Sequence, residues 1–221
     1  MPSPRAEPDP GHTGRPVLLH HVVVLAGGRS ARLGEDKTTA DLGGTTVLDR
    51  LLDGLAEQLP GVPVTAVGPW RPTTLDVTWV REEPPGGGPV AALAAALWAS
   101  PPPSQPDVEL LAVVAGDHPF AAPAVPHLAA ALVASGAGVD AAVGVDATGR
   151  LQLLLGVHRG AALRAVVAGL ATGDDGVGGR PVRSVVERLR VQPVPLQPRW
   201  TLDVDTAHDL ARARALVADE L

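Results

Sequence analysis

The chain has 221 residues, no cysteine, 2% aromatic residues and a formal net charge of −6. The missing cysteine excludes disulfides, thiolate metal sites and a cysteine nucleophile. The acidic balance and scarce aromatics argue against nucleic-acid binding, and no apolar run reaches the roughly 18 residues of a membrane span. The first ten residues, MPSPRAEPDP, are polar and proline-rich, without the apolar stretch of a signal peptide. Residues 1–16 are expected to be a disordered tail, 17–221 a single domain, and the setting cytoplasmic.

The run at 17–26 is apolar and rich in β-branched residues, which predicts a buried strand. Residues 27–44, rich in glycine, threonine and charge, read as a loop. Val47, Leu48, Leu51, Leu52, Leu55 and Leu59 recur at helical spacing, so 45–59 is expected to be a helix capped by Thr45 or Thr46. Strands follow at 62–67 and 77–80. The Pro/Gly hinge 82–89 leads into a helix at 90–99, since a proline suits a helix start. The run 108–115 is a second buried strand, and 122–135 a helix. Residues 141–145 and 151–157 are expected to pair across the Asp-Ala-Thr-Gly turn at 146–149. Helices are expected at 161–171 and 182–189, a strand at 191–194 and a closing amphipathic helix at 206–217. The rhythm of 141–200 differs and suggests an inserted subregion. Strands alternating with helices predict an α/β fold, a Rossmann-like three-layer α/β/α sandwich with a mostly parallel sheet. In such sheets ligands bind at the carboxyl ends of the strands.

Two segments at those ends carry chemistry. The first is Leu25-Ala26-Gly27-Gly28-Arg29-Ser30-Ala31-Arg32-Leu33-Gly34-Glu35-Asp36-Lys37. Paired glycines let backbone N–H groups approach a phosphate, and Arg32 and Lys37 add two cations. The competing reading is a plain turn with solvated charges. The string lacks the Gly-Lys-Ser/Thr ending of a P-loop, and its glycine spacing is wrong for a dinucleotide fingerprint. The second is Gly116-Asp117-His118-Pro119. A carboxylate at a strand end suits Mg²⁺, which takes one or two carboxylates plus phosphate oxygens and water. Asp117 as the cap of the next turn is the alternative.

The first string resembles the Leu-Ala-Gly-Gly-x-Ser-x-Arg-x-Gly-x-Asp-Lys signature of the MobA-like nucleotidyltransferases, at every fixed position. The resemblance continues in order to about residue 216 and favours the molybdenum cofactor guanylyltransferase branch. It implies a fold of the nucleotide-diphospho-sugar transferase type and transfer of GMP from GTP to molybdopterin, with release of pyrophosphate and dependence on Mg²⁺. Gly27, Gly28 and the catalytic Arg32 would cradle the phosphates, and Leu25 and Ala26 would also bind the nucleotide. Lys37 would neutralise charge near the α-phosphate, and Asp117 would hold the metal. In Asp203-Val204-Asp205-Thr206, similar to the family's closing motif, Asp205 is the candidate second metal contact. Capping of the last helix by Asp205 or Thr206 is the other reading. Among Arg81-Glu82-Glu83-Pro84-Pro85-Gly86-Gly87-Gly88-Pro89, Glu83 best matches the family's nucleotide-holding acid, with Glu82 next. Gly68 sits where the family's second strand ends near the base, which implies a backbone contact there; a plain turn is the other reading. Arg180, Arg183 and Gln152 lie on the acceptor side of the resemblance. Three alternatives stay open: CTP or another phosphorylated acceptor, a nucleotide-binding module without turnover, and a nicotinamide-dependent oxidoreductase. No nucleic-acid or membrane partner is expected.

Overall fold

The computed structural model describes residues 19–27, 36–100, 102–104, 108–173 and 176–219. Strand β1 (His21–Leu25) is followed by a one-turn 3-10 helix, η1 (Lys37–Thr39), and helix α1 (Val47–Gln58). Then come β2 (Val64–Val67), β3 (Thr78–Val80), α2 (Gly88–Ala99), β4 (Leu110–Ala115) and α3 (Ala124–Ala134). The second half runs β5 (Ala141–Val145), β6 (Leu151–Arg159), α4 (Gly160–Ala171), α5 (Arg183–Val186), β7 (Val191–Pro195) and α6 (Ala207–Ala218).

The strands form one seven-stranded sheet in the order β3-β2-β1-β4-β6-β5-β7. Only β6 runs antiparallel to its neighbours, so the sheet is mostly parallel, as expected. The period of two along β1 divides the core. Val22 and Val24 pack with Leu51 and Leu52 of α1 and Leu128 and Leu132 of α3. Val23 and Leu25 pack on the other face with Leu93 of α2 and Leu163 of α4. Helices therefore cover both faces, the three-layer arrangement that alternating strands and helices predict.

Several expectations need correcting. The 141–200 stretch is not an inserted subregion, because β5, β6 and β7 complete the common sheet. The helix expected at 182–189 is only Arg183–Val186. Arg188 N–H and Leu189 N–H donate to the carbonyls of Val185 and Val186, three residues back, so the chain tightens out of α geometry before β7. Pro193 lies inside β7, which is tolerated because β7 is an edge strand. Thr46 is the cap of α1, its Oγ1 accepting from Asp49 N–H at 3.0 Å.

A third apolar cluster lies at one end of the sheet. Ala40, Leu42 and Val47 meet Phe120, Leu202, Val204 and Leu210 there. This cluster brings the segment after η1, the turn after β4 and the start of α6 together. Three sequence-distant motifs thereby reach one place.

Candidate active site

The parallel strands β1, β2, β3 and β4 end side by side, and β1 lies between β2 and β4, a point where connections leave in opposite directions. A cleft of about 700 Å³ opens there, lined by Leu25, Gly27, Lys37, Glu82, Gly88 and Asp117 among others. Gly68 sits behind it with φ of 147°, and a Cβ on it would meet Gly27 N at 2.9 Å and Ala26 C at 3.0 Å. The residue thus lets β2's exit pass directly under the start of the glycine-rich motif. Gly28 and Arg32, assigned to phosphate binding by the motif, lie outside the described residues.

Lys37 is held from both sides. Asp36 caps η1, its Oδ1 accepting from Thr38 N–H at 3.0 Å and from Thr38 Oγ1 at 2.7 Å. The Lys37 ammonium then pairs with Asp117 Oδ2 and with Asp205 Oδ1, the latter at 2.7 Å. Lys37 is also the single lysine of the chain, against seventeen arginines. A compact ammonium fits between two carboxylates where a planar guanidinium would not. Burial would lower the Lys37 pKa, but the Asp117 charge and hydrogen bond, then those of Asp205, outweigh it and raise it.

Asp117 is buried in the turn after β4. Its carbonyl accepts from Val204 N–H at 3.0 Å, which ties that turn to the 203–205 segment. Its Oδ1 lies 2.9 Å from His118 Nδ1. Burial pushes the carboxyl up, but His118 and then Lys37 outweigh it and bring its pKa down to about 2. Asp117 is therefore an anion across the physiological range. Asp203 and Asp205 flank buried Val204 and line the same groove, as alternation predicts. Burial raises the Asp203 pKa, with the neighbouring Asp205 and Asp117 carboxylates adding and His118 opposing. Thr206 caps α6 in a reciprocal box with Asp209, which leaves the Asp205 carboxylate available to Lys37.

The acidic hinge places its two glutamates differently. Glu82 lines the cleft, its Oε1 accepts from Gly86 N–H at 2.9 Å, and its Oε2 is buried without a protein partner. Glu83, the better match by motif, is exposed and does not line the cleft. Beside Glu82, Gly88 and Pro89 bring the N-terminus of α2 to the cleft wall.

A second groove of about 790 Å³ shares Lys37, Ala115, Asp117 and Leu154 with the first. It continues past His118, Asp203 and Asp205 to Arg150, Gln152 and Arg183. Gln152 donates to Asp146 Oδ2 at 2.7 Å, so its amide is braced by the β5–β6 turn. Arg180 does not line this groove, its Nε donating to Gly176 O at 2.5 Å. Neither the contacts of Arg71 with Asp36 nor the bond between His118 and Asp117 has a signal in the local sequence. Among the described residues, no group of three or more Asp, Glu or His side chains forms a ready metal cage.

A family model described as MobA-like NTP transferase domain matches residues 22–194. A probable molybdenum cofactor guanylyltransferase of Mycobacterium tuberculosis strain H37Rv is 40% identical over 100 residues, 44% of this chain and 48% of that protein. The chain spans about half the length of the curated relatives it matches. The structure of the Mycobacterium sp. strain JC1 homologue of Mycobacterium tuberculosis Rv0371c is 30% identical, with a TM-score of 0.62 over 91% of this chain and 98% of that one. Molybdopterin-guanine dinucleotide biosynthesis protein A from Archaeoglobus fulgidus, 21% identical, shares the fold at a TM-score of 0.64 over 90% of this chain and 99% of its own. The family match begins in β1 and ends in β7, from one part of the sheet to its far edge. The chain belongs to the MobA-like NTP transferase family of nucleotidyltransferases.

Proposed function

We propose that the chain transfers GMP from GTP to the phosphate of molybdopterin and releases pyrophosphate. The observation that carries the reading is the junction of two cavities at Lys37 and Asp117. One cavity would hold the nucleoside triphosphate and the other the phosphorylated acceptor, so the reacting phosphates meet beside one ammonium and two carboxylates. Curated relatives named molybdenum cofactor guanylyltransferase support the choice of nucleotide and acceptor.

In this mechanism an acceptor phosphate oxygen attacks the α-phosphorus of the triphosphate. The bond from that phosphorus to the α–β bridging oxygen breaks, and pyrophosphate leaves with the electron pair. The protein supplies no nucleophile. Its part is alignment and charge neutralisation. Gly27 presents backbone to the phosphates, joined by Gly28 and Arg32 from the same motif. Lys37 is the cation beside the α-phosphate. Glu82 accepts from donor groups on the nucleoside through its unpartnered Oε2, and the α2 N-terminus faces the same cleft. Arg183 and Arg150 provide cations along the acceptor groove.

The donor set fits a hard divalent cation. The carboxylates of Asp117 and Asp205 converge on a position that already attracts a cation, the Lys37 ammonium. Two carboxylates without a full protein cage suit Mg²⁺, which keeps waters and phosphate oxygens as its other ligands. Bound with the triphosphate, such a cation would screen phosphate charge and align the leaving pyrophosphate. Among the described residues no helix is long and apolar enough to cross a membrane, and the proposed setting is the cytoplasm.

The test offers GTP, CTP, ATP and UTP with Mg²⁺ and molybdopterin and measures pyrophosphate. Turnover with GTP alone is expected. Turnover with CTP, or only with another phosphorylated acceptor, would reassign the substrates. Absence of turnover with every pair would reduce the chain to a binding module.

A further inference from the structure

Arg71 lies in the connection between β2 and β3 and lines neither cavity. Its side chain is only 11% exposed, yet it makes four polar contacts. Nη1 lies 2.8 Å from Asp36 Oδ2 and also donates to Thr38 Oγ1. Nη2 donates to Ala26 O at 3.2 Å, and Nε to Pro69 O at 3.3 Å. The guanidinium carbon lies 5.8 Å from the centre of the Trp79 ring. Ala26 stands at the entry of the glycine-rich motif, while Asp36 and Thr38 flank Lys37 at its exit. One planar cation therefore fastens both ends of that motif to each other and to the β2–β3 connection.

We propose that Arg71 is a positioning residue that clamps the two ends of the glycine-rich motif and so holds Lys37 between Asp117 and Asp205. The inference rests on the reading of Lys37 as the cation of the reaction. The chemistry calls for arginine. Its fixed fork serves the carboxylate and hydroxyl with one nitrogen while the other reaches the Ala26 carbonyl. A lysine carries all its donors on one nitrogen and could not reach the Ala26 carbonyl, the Asp36–Thr38 pair and the Pro69 carbonyl together. Asp36 is engaged twice, since the oxygen that caps η1 is not the one that meets Arg71. Loss of the clamp leaves η1 capped but removes its tie to Ala26 at the end of β1, and Lys37 is the residue that rides on η1.

The single lysine makes a direct test. Protein labelled with ¹⁵N at lysine Nζ yields one ammonium resonance. In the wild type this resonance is expected to be shifted from that of a free lysine and slowed in proton exchange. In Arg71→Gln it is expected to move toward the free-lysine position, while the melting temperature stays within about 4 °C of wild type. Turnover at saturating nucleotide should fall about tenfold or more, with KM changing less than threefold or so. Placed in the Lys37→Ala background, the same substitution should add no more than about a twofold loss, because both act through one group. An unchanged ammonium resonance in folded Arg71→Gln, or a full additional loss on top of Lys37→Ala, overturns the proposal. If Arg71→Gln does not fold, Asp36→Asn cuts the same clamp at its other end and is read by the same criteria. If the wild type releases no pyrophosphate from any nucleotide, the functional reading fails separately, and the ammonium resonance alone decides the role of Arg71.

Discussion

Lys37 Nζ lies 2.7 Å from Asp205 Oδ1, although 168 residues separate them in the chain. Packing around it helps bring the two residues together. Ala40 and Leu42, just after Lys37, share a core with Leu202 and Val204, just before Asp205. Asp117 completes the arrangement through its carbonyl bond to Val204.

That placement makes Lys37 the first residue to test. Lys37→Ala is expected to lower kcat by about 10²–10³-fold, the scale for losing a preorganised charge at developing negative charge. Lys37→Arg should recover little, because a planar guanidinium does not fit a slot that holds a compact ammonium between two carboxylates. Pyrophosphate release checks both, with a thermal melt to show that each variant is folded. Near wild-type turnover in Lys37→Ala would remove the residue from the mechanism.

The same geometry predicts competition between ammonium and metal. With Lys37 paired to Asp117 and Asp205, a divalent cation in nucleotide-free protein must displace it. Lys37→Met is therefore expected to bind Mn²⁺ more tightly than wild type without nucleotide, and Asp205→Asn more weakly. Electron paramagnetic resonance titration with Mn²⁺ reads this directly. Unchanged affinity in Lys37→Met would mean that the metal site lies elsewhere.

The two hinge glutamates should behave unequally. Glu82 carries a buried, unpartnered Oε2 in the cleft, whereas Glu83 is exposed. A hydrogen bond to a charged group contributes about 1.5–3 kcal/mol, so Glu82→Gln should raise the nucleotide KM about tenfold or more. Glu83→Gln should change it less than about twofold. Steady-state kinetics on the two variants decide, and the reverse ranking would restore the motif match over the observed geometry.

Stability rests on a different buried pair. Arg164 Nε and Nη2 donate to Glu109 at 3.1 and 2.8 Å, and Nη1 to Leu97 O at 2.7 Å. A Cβ on Gly160 would fall 1.9 Å from Glu109 Oε2, which the arginine fork holds in place. Glu109→Ala is expected to destabilise by about 3–5 kcal/mol because it strands a largely buried cation. Gly160→Ala should also destabilise strongly, although it removes no interaction. Urea unfolding of the two variants measures both losses.

Acid sensitivity should come in two windows. Burial holds the His158 pKa down to about 4 from the usual 6.5. The unfolded chain therefore takes up this proton first, and stability falls as pH drops from about 6.5 to about 4, by roughly 3 kcal/mol. His21, lowered by burial and by Arg164, adds loss in the same direction. Asp117 acts lower down. Its depressed pKa stabilises the fold above pH 3.8, and that contribution disappears as pH falls through about 2. Urea midpoints between pH 7 and 4 should slope for wild type and flatten in His158→Leu. Equal slopes in the two proteins would contradict the buried neutral histidine.

The elements and their order were readable from local pattern. Period-two and period-3.6 spacing placed β1, β4 and α1 within a few residues, because each follows from nearest neighbours and from burial of one face. The motif from Leu25 to Lys37 and the aspartate after β4 pointed to the site for the same reason. A glycine-rich loop after a strand and a strand-end carboxylate are each contiguous pieces of chain. The pairing of Lys37 with Asp205, the contacts of Arg71 and the placement of Glu82 rather than Glu83 on the cleft were not readable in this way. Each depends on where a side chain points after a turn, and on which distant segment the apolar clusters press against it. Lys37 and Arg71 meet their partners through β1, β2, β4 and the 203–205 segment, whose proximity exists only once the sheet has assembled and Val204 is buried.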